Sequence, residues 1–192
     1  RLQRVLNAFS FYDPQTGYCQ SLNFIAALFL LLMSEEEAFW LLVVTTRKYL
    51  PEYYTPDMVG SKTDAHIFEA MLYTYFPLIA HQLFDLGLPV VLRTASWFLC
   101  MFVTILPVET TMRIFDWMFV EGSQILFSVG LALFDLSSHD LSSANSFDTA
   151  YFTFTTMTQH CYNADHLIEL ASSKYALMRK AIAALRTKLR LE

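Results

Sequence analysis

The sequence has few charged residues and no apolar run long enough to cross a membrane. Charged residues make up 16% of the 192 positions, whereas apolar residues make up 55% and aromatic residues 16%. This composition excludes a disordered chain and predicts helices that bury much of their surface, in this domain or against further sequence. The longest apolar runs, at 22–33, 97–106 and 124–134, fall short of the roughly 20 residues that a transmembrane helix needs. We therefore expect no transmembrane segment.

The signatures of common catalytic and metal sites are also missing. The sequence has no Gly-x-Ser-x-Gly element and no glycine-rich phosphate loop, so Ser/His/Asp hydrolysis is a poor fit and no known cradle for a nucleotide is present. His160, Cys161 and His166 match no common zinc spacing and have no second Cys/His pair, so we interpret them as ordinary surface and core residues. We expect neither a metal nor a cofactor.

Cysteine usage and charge distribution limit the compartment and the partners. The three cysteines are odd in number, widely spaced and set among apolar residues, which indicates reduced, structural thiols in an intracellular protein. Residues 174–192 carry six basic residues and one acid, a net charge of +5, so the rest of the chain sums to −10 in a total of −5. An acidic body argues against nucleic acid as the main partner. The basic tail fits a solvated helix face, with contact to acidic lipid as the alternative.

The beginning of the chain has the features of a fragment. It opens on Arg1 rather than Met, and no signal peptide is present. An amphipathic pattern already runs through Leu2, Val5 and Leu6. We therefore expect the chain to start inside a helix and to be N-terminally truncated.

The periodicity of the apolar residues predicts helices throughout. Spacings of three and four dominate, alternation at period two is rare, and no internal repeat is visible. We predict an all-α fold, an irregular multi-helix domain. Ser34 and Glu37 form a capping box that starts a helix with Trp40 on its inward face, and Gly87 is placed as a helix stop. Prolines at 77, 89 and 107 interrupt or open helical segments.

Two further stretches give specific structural expectations. The apolar run at 96–106 predicts one continuous helix with Trp97 in the core. At 137–146 the composition shifts to Ser, Asp, Asn and His, which predicts the one clear loop of any length. Between them, Arg113 lies three residues before Asp116 and four after Glu109, so one arginine is expected to bridge both acids on one helix face.

The chain is organised around residues 13–33, which begin as a turn and end as an almost wholly apolar helix. Such a helix is expected to be buried on nearly all sides. Gln20, Ser21 and Asn23 stand where the turn becomes the helix, so a buried element holds a few polar groups at one end, as presentation to a partner requires. Periodicity alone makes Gln20 an ordinary solvated or capping residue.

Three blocks of the sequence resemble a known family, and one of them, residues 35–40 followed by Leu50-Pro51-x-Tyr53-Tyr54, is similar to a subgroup of that family. Residues 17–23, Gly-Tyr-Cys-Gln-Ser-Leu-Asn, are similar to the Tyr-x-Gln-Gly-Met-Asn motif of TBC-domain Rab GTPase-activating proteins. The second block resembles the family's Trp-Phe-Leu…Leu-Pro-x-Glu…Arg-x-x-Asp…Glu-Gly signature, and its positions are Trp97, Pro107, Glu109, Arg113, Asp116 and Gly122. The resemblance covers about residues 1–136, and it implies an all-α domain whose members accelerate GTP hydrolysis by Rab-type GTPases.

The resemblance also implies roles for individual residues. Gln20 takes the place of the glutamine that the family supplies in trans, and Tyr18, Ser21 and Asn23 are expected to shape the helix end or to contact the GTPase. The family's second group, an arginine in an Ile-x-x-Asp-x-x-Arg motif, is expected upstream of Arg1, so the 192 residues alone should stimulate hydrolysis little. Ser21 and Leu22 depart from the family's Gly and Met. Leu for Met conserves volume, whereas Ser adds a side chain where a partner's backbone approaches.

These observations lead to one main prediction and one alternative. Residues 1–136 are predicted to be the core of a TBC domain, and 137–192 its C-terminal helices or a short helical extension. The protein is predicted to activate GTP-bound Rab GTPases without being a hydrolase itself, in the cytoplasm and peripherally on endomembranes through other domains. The alternative is a catalytically inactive TBC module that binds a Rab GTPase or scaffolds a complex.

Overall fold

The computed structural model describes residues 1–88 and 90–190, and this part of the chain is helical, with no strand. The predicted all-α class is therefore confirmed. Pro89, predicted to open a segment, lies outside the described residues. The elements are α1 Leu2–Tyr12, α2 Leu22–Leu32, α3 Glu35–Val44 with a π-helical turn Thr45–Tyr49, α4 Val59–Tyr75, α5 Pro77–Asp85, α6 Val90–Leu99, α7 Val108–Glu121, α8 Ile125–Ser142, α9 Phe147–Gln159, α10 Ala164–Ser173 and α11 Arg179–Arg190.

Local start and stop signals set several of these bounds as predicted. The Ser34 hydroxyl accepts the Glu37 N–H at 3.3 Å, and a carboxylate oxygen of Glu37 accepts the Ser34 N–H at 2.8 Å, which completes the capping box of α3. Pro77 occupies the first turn of α5, where its missing N–H has no helical partner to serve. Gly87 follows the end of α5 at φ +73°, and the Leu88 N–H bonds back to the Leu83 carbonyl at 2.9 Å.

The core lies around α8, which is buried over most of its length and packs against α4, α5, α7, α9 and α10. Trp97 is almost fully buried, as predicted, and its ring centroid lies 5.8 Å from that of Phe134 and 5.9 Å from that of Phe154. A Cβ at Gly130 would lie 2.7 Å from the ring of Phe68, so glycine is required where α4 and α8 approach each other.

A buried ion pair attaches α11 to the rest of the domain. The Arg186 guanidinium donates to both carboxylate oxygens of Asp64, at 2.7 and 2.6 Å, and to the Ser123 hydroxyl at 3.1 Å. The Tyr53 hydroxyl donates a further hydrogen bond to Asp64. The basic tail is therefore not simply a solvated helix face, because one of its arginines is bound in the interior.

Two predicted boundaries are wrong, and in both cases the environment outweighs the local composition. The loop expected at 137–146 is largely helical, since α8 continues to Ser142. Buried Leu141 favours the helix there, and the Ser137 hydroxyl bonds to the Leu133 carbonyl at 2.8 Å. The helix expected at 96–106 ends at Leu99. Met101 and Phe102 follow with φ of +49° and +64°, a conformation that is held because both side chains are fully buried.

Two predicted burial patterns are also wrong. Trp40 is about half exposed, because Ala38 and Leu42 occupy the inward face of α3. Its ring instead packs edge-on against Tyr12, with centroids 5.6 Å apart. Helix α2 is not buried on nearly all sides, since the side chain of Leu31 is 73% exposed. Within the described residues, α1 and α3 pack on α2 but leave this side of its last turn uncovered.

Candidate functional site

The approach to α2 is a turn held by the side chain of Asp13. One carboxylate oxygen of Asp13 accepts the Thr16 N–H at 3.3 Å, and the Asp13 carbonyl accepts the Gly17 N–H at 2.7 Å. Asp13 is only 8% exposed, so the carboxylate lies inside the turn rather than in solvent. The turn therefore fixes the direction in which the chain continues toward Gln20.

Between this turn and α2 the side chains alternate between solvent and interior. Tyr18 is 59% exposed and Gln20 is exposed, whereas Cys19 between them is partly buried. Burial raises the pKa of the Cys19 thiol, so this sulfur stays protonated at neutral pH. Its Sγ lies 3.3 Å from the Gln20 carbonyl oxygen. Tyr18 and Gln20 are thus the two side chains that this segment offers to a partner.

The junction with α2 is held by a side chain from inside the helix. The Ser21 N–H donates to Oδ1 of Asn23 at 3.2 Å, and the Ser21 carbonyl accepts the Phe24 N–H at 3.1 Å. Ser21 has φ +100°, a conformation that favours glycine, and its side chain is 7% exposed. Leu22 and Ile25 are fully buried, so the first turn of α2 is fixed in the core. Gln20 therefore stands on a rigid support.

The chemistry available at this point is that of an exposed carboxamide. The Gln20 side chain has a carbonyl acceptor and an NH₂ donor. The N-terminal end of α2 places the partial positive charge of the helix dipole nearby. Within residues 1–88 and 90–190, no group of three His, Cys, Asp or Glu side chains is arranged to hold a metal ion. The arrangement can orient a polar group of a partner, and its one thiol, Cys19, has a pKa raised by burial.

The second motif block lies in the packing of α6 and α7. Trp97 is in the core, Pro107 precedes α7, and exposed Glu109 stands in its first turn, where a carboxylate is favourable. Gly122 ends α7 at φ +116°. None of these side chains takes part in the described hydrogen bonds of residues 13–23.

The predicted bridge from Arg113 to Glu109 and Asp116 is wrong. The Arg113 guanidinium instead pairs with Asp165, at 2.8 Å from Nη2 to Oδ1. Asp165 lies in the first turn of α10, which packs beside α7, so the arginine links two helices instead of two turns of one helix. Asp116 is exposed. Spacing along one helix could not reveal an acid 52 positions away on another.

No pattern in the sequence indicates Arg47, the one cation that contacts the turn before Gln20 among the described residues. Its Nε lies 3.2 Å from the second carboxylate oxygen of Asp13, and its Cζ lies 4.8 Å from the centre of the Tyr12 ring. Composition predicts Asp13 itself only as part of a helix-breaking turn. Both contacts join residues more than thirty positions apart, which no local pattern predicts.

The length and the hydrophobicity of the described helices bear on whether one of them could span a membrane. In the part of the chain that the structure covers, none is both long and apolar enough to cross a bilayer.

Sequence comparison identifies relatives of known type. The model of the Rab-GTPase-TBC domain family matches residues 1–142. GTPase-activating protein GYP3 of Saccharomyces cerevisiae is 40% identical across 73% of this chain and 27% of that protein. Growth hormone-regulated TBC protein 1 of Rattus norvegicus is 41% identical across 76% of this chain and 50% of that protein. The chain thus spans about half or less of these two relatives.

Structure comparison agrees with the sequence. The crystal structure of the Chlamydomonas flagellar RabGAP TBC domain superposes with a TM-score of 0.81 at 27% identity, over 92% of this chain and 59% of that one. The Ypt/Rab-GAP domain of Gyp1p superposes with a TM-score of 0.78 over 91% of this chain and 63% of that one, and at 16% identity it supports the fold alone. The family match over residues 1–142 and the shared fold together show that the chain belongs to the Rab-GTPase-TBC domain family.

Proposed function

We propose that the protein containing this chain is a GTPase-activating protein for Rab-family GTPases, and that Gln20 acts in trans in the active site of the GTP-bound partner. The observation that supports this most directly is the exposed Gln20 side chain at the start of a helix fixed in the core. The hydrogen bond from Ser21 N–H to Asn23 holds the adjacent backbone. A carboxamide in this place meets a partner with little positional freedom.

The proposed chemistry needs positioning more than covalent catalysis. GTP hydrolysis by a GTPase requires an oriented water and compensation of the charge that develops on the phosphate oxygens. The carbonyl and NH₂ groups of Gln20 are suited to the first task, because a water molecule both donates to an acceptor and accepts from a donor. The family resemblance assigns the second task to an arginine in an Ile-x-x-Asp-x-x-Arg motif, which we expect in the upstream sequence. Bond breaking takes place on the partner's GTP, so the chain is an activator and not a hydrolase.

The neighbours of Gln20 are proposed to have different roles. Tyr18 is exposed beside Gln20 and is proposed to contact the GTPase directly. Asn23 is proposed to act through the backbone at Ser21, since its Oδ1 is already engaged there. Ser21 is proposed to shape the turn, because its side chain faces the interior.

The alternative, a catalytically inactive TBC module that binds a Rab GTPase or scaffolds a complex, follows from Ser21 standing where the family motif has Gly. An added side chain would obstruct a partner only if it pointed outward. Ser21 is 7% exposed, which favours the active form over this alternative.

We further infer that residues 1–136 and 137–192 form one domain. Helix α8 runs across residue 136, α9 and α10 pack on α8, and α11 packs on α4. A cytoplasmic protein that reaches endomembranes peripherally through other domains fits this proposal.

A direct test uses the full-length protein and a panel of purified, GTP-loaded Rab GTPases under single-turnover conditions. We expect at least one Rab to hydrolyse its GTP faster by orders of magnitude, as arginine-assisted activation gives roughly 10³–10⁵ in rate. Binding to a GTP-loaded Rab without acceleration would support the inactive alternative, and neither binding nor acceleration across the panel would reject both the activating role and Rab binding.

A further inference from the structure

We propose that Asp13 and Arg47 are positioning residues for Gln20, and that the π-helical turn after α3 exists to place Arg47 against Asp13. This inference rests on the proposed role of Gln20. It assigns a task in GTPase activation to two residues that do not themselves reach the partner's nucleotide.

The π-helical turn that contains Arg47 has a distinct hydrogen-bond pattern. The Leu50 N–H bonds to the Thr45 carbonyl, five residues back, at 2.9 Å. The Thr45 hydroxyl donates to the Leu41 carbonyl at 2.7 Å, and the Thr46 hydroxyl to the Leu42 carbonyl at 3.1 Å. One extra residue in a helical turn rotates the residues after it by about 100° and is often found at functional sites. The residues that start this turn, Thr45 and Thr46, are buried, so the turn is fixed by the core.

Arg47 makes two contacts at the turn before Gln20, one with Asp13 and one with Tyr12. Its Nε lies 3.2 Å from one carboxylate oxygen of Asp13, whose other oxygen accepts the Thr16 N–H. Its guanidinium lies over the ring of Tyr12, and that ring packs edge-on against Phe39 on α3, with centroids 5.5 Å apart. The last residue of α1, the turn and the end of α3 are therefore tied together by one cation.

The Asp13–Arg47 pair can affect Gln20 because the segment between the turn and Gln20 is short. Only Tyr18 and Cys19 lie between the turn, which ends at Gly17, and Gln20, and the hydrogen bond from Ser21 N–H to Asn23 holds the chain on the other side. With both ends fixed, the carboxamide has few directions open to it. Releasing the Asp13 end enlarges that range, and a displacement of about 1 Å in a positioning group costs roughly a hundredfold in rate.

Because Asp13 is buried, loss of the Asp13–Arg47 pair should change the positioning of Gln20 and not the affinity for the GTPase. Asp13 is 8% exposed and cannot form a contact with a partner through its engaged carboxylate. The Arg47 side chain is half-exposed, and a pair of this kind contributes only about 1 kcal/mol or less to stability. A loss of activity much larger than the loss of stability is therefore the signature of positioning.

The test compares Arg47→Ala with Lys48→Ala in the full-length protein, using the Rab GTPase that the panel identifies as most strongly activated. Lys48 is the matched control, because it is the adjacent cation in the same π-helical turn but its Nζ lies over the ring of Tyr49, 5.1 Å from the centroid. We expect Arg47→Ala to lower kcat roughly tenfold with KM changed by less than about twofold, and Lys48→Ala to change neither. Arg47→Lys should recover part of kcat, since a lysine ammonium can still reach Asp13.

A double-mutant cycle with Gln20→Ala separates this inference from the proposed function. If Arg47 acts through Gln20, Arg47→Ala should cause no further loss once Gln20 is alanine. An equal fold-loss in both backgrounds, a change in KM alone, or no loss from Arg47→Ala would overturn the positioning role while leaving Gln20 in place. Full activity of the Gln20→Ala single variant would instead overturn the proposed function.

Discussion

The side-chain oxygen of Asn23 accepts a hydrogen bond from the backbone N–H of Ser21, 3.2 Å away, at the point where the chain turns from Gln20 into α2. The family resemblance implies that both residues shape the helix end or contact a GTPase. Asn23 is engaged with the backbone and Ser21 is buried, which supports a role in shaping the helix end. Tyr18 and Gln20 remain as the outward-facing pair of this motif, and we propose that these two side chains make its contacts with the GTPase.

The conformation of Ser21 leads to a prediction on stability. A non-glycine residue at φ +100° costs about 1–3 kcal/mol in strain, whereas glycine costs about 0.5–1 kcal/mol more in chain entropy on folding. Ser21→Gly should therefore raise the free energy of unfolding by about 1 kcal/mol. The measurement is the denaturant midpoint of the full-length protein.

The matched control for this substitution is Ser21→Ala, which removes the hydroxyl but keeps the Cβ that causes the strain. It should gain no stability. A lower midpoint for Ser21→Gly, or an equal gain for both variants, would show that backbone strain at this position is not the cause.

The buried pair of Arg186 and Asp64 leads to a second stability prediction. Arg186→Met removes the cation and leaves the carboxylate of Asp64 buried without its charge partner, which should lower the free energy of unfolding by about 3–5 kcal/mol. Lys188→Met is the control, because it removes an exposed cation from the same helix and should change stability by less than about 0.5 kcal/mol. Similar midpoints for the two variants would mean that α11 is not held by this pair.

Two buried tyrosines contribute to the pH dependence of stability at high pH, in addition to the partly buried thiols of Cys19 and Cys161, whose pKa is also raised by burial. Burial raises the pKa of Tyr53 and Tyr54 well above the usual value, and the carboxylate of Asp64 raises that of Tyr53 further. Above about pH 10 the unfolded chain ionises these hydroxyls while the folded chain keeps them neutral. The contribution of the two neutral hydroxyls to the free energy of unfolding is fully present below that pH. It is lost as the pH rises above it, by up to about 1.4 kcal/mol per tyrosine and pH unit.

Denaturant melts between pH 8 and 11, with tyrosine absorbance followed in parallel, test this dependence. Tyr54→Phe should reduce the alkaline loss of stability, because the variant removes one of the two buried tyrosine hydroxyls. Stability that does not change up to pH 11, or ionisation of all tyrosines near their ordinary pKa, would show that these hydroxyls are not buried.

The sequence predicted those features that depend on neighbours in the chain. The capping box of Ser34 and Glu37, the helix stop at Gly87 and the break at Pro77 involve hydrogen bonds or steric limits within about five residues. The location of Gln20 at the start of a buried helix can also be predicted from local composition. These predictions hold because no distant contact competes with them.

Features that depend on distant contacts could not be predicted. The Arg113–Asp165, Arg47–Asp13 and Arg186–Asp64 pairs each join separate helices or a helix and a turn, and the spacing rule for Arg113 selected the wrong acids. Helix α6 ends early because the burial of Phe102 is worth more than the continuation of the helix through that residue. Helix α8 extends through a serine-rich segment because Leu141 is buried. In each case, packing energy overrides local propensity.

We propose that Gln20 acts on the partner's GTP. The most direct test is the rate of single-turnover GTP hydrolysis with the Gln20→Ala variant of the full-length protein. Gln15→Ala is the control, since Gln15 is an exposed glutamine in the turn just before. We expect Gln20→Ala to lower the stimulated rate by about tenfold or more, with the fold and the affinity for the GTP-loaded Rab retained, and Gln15→Ala to have no effect. Near-normal stimulation by the Gln20→Ala variant would contradict the catalytic role of Gln20.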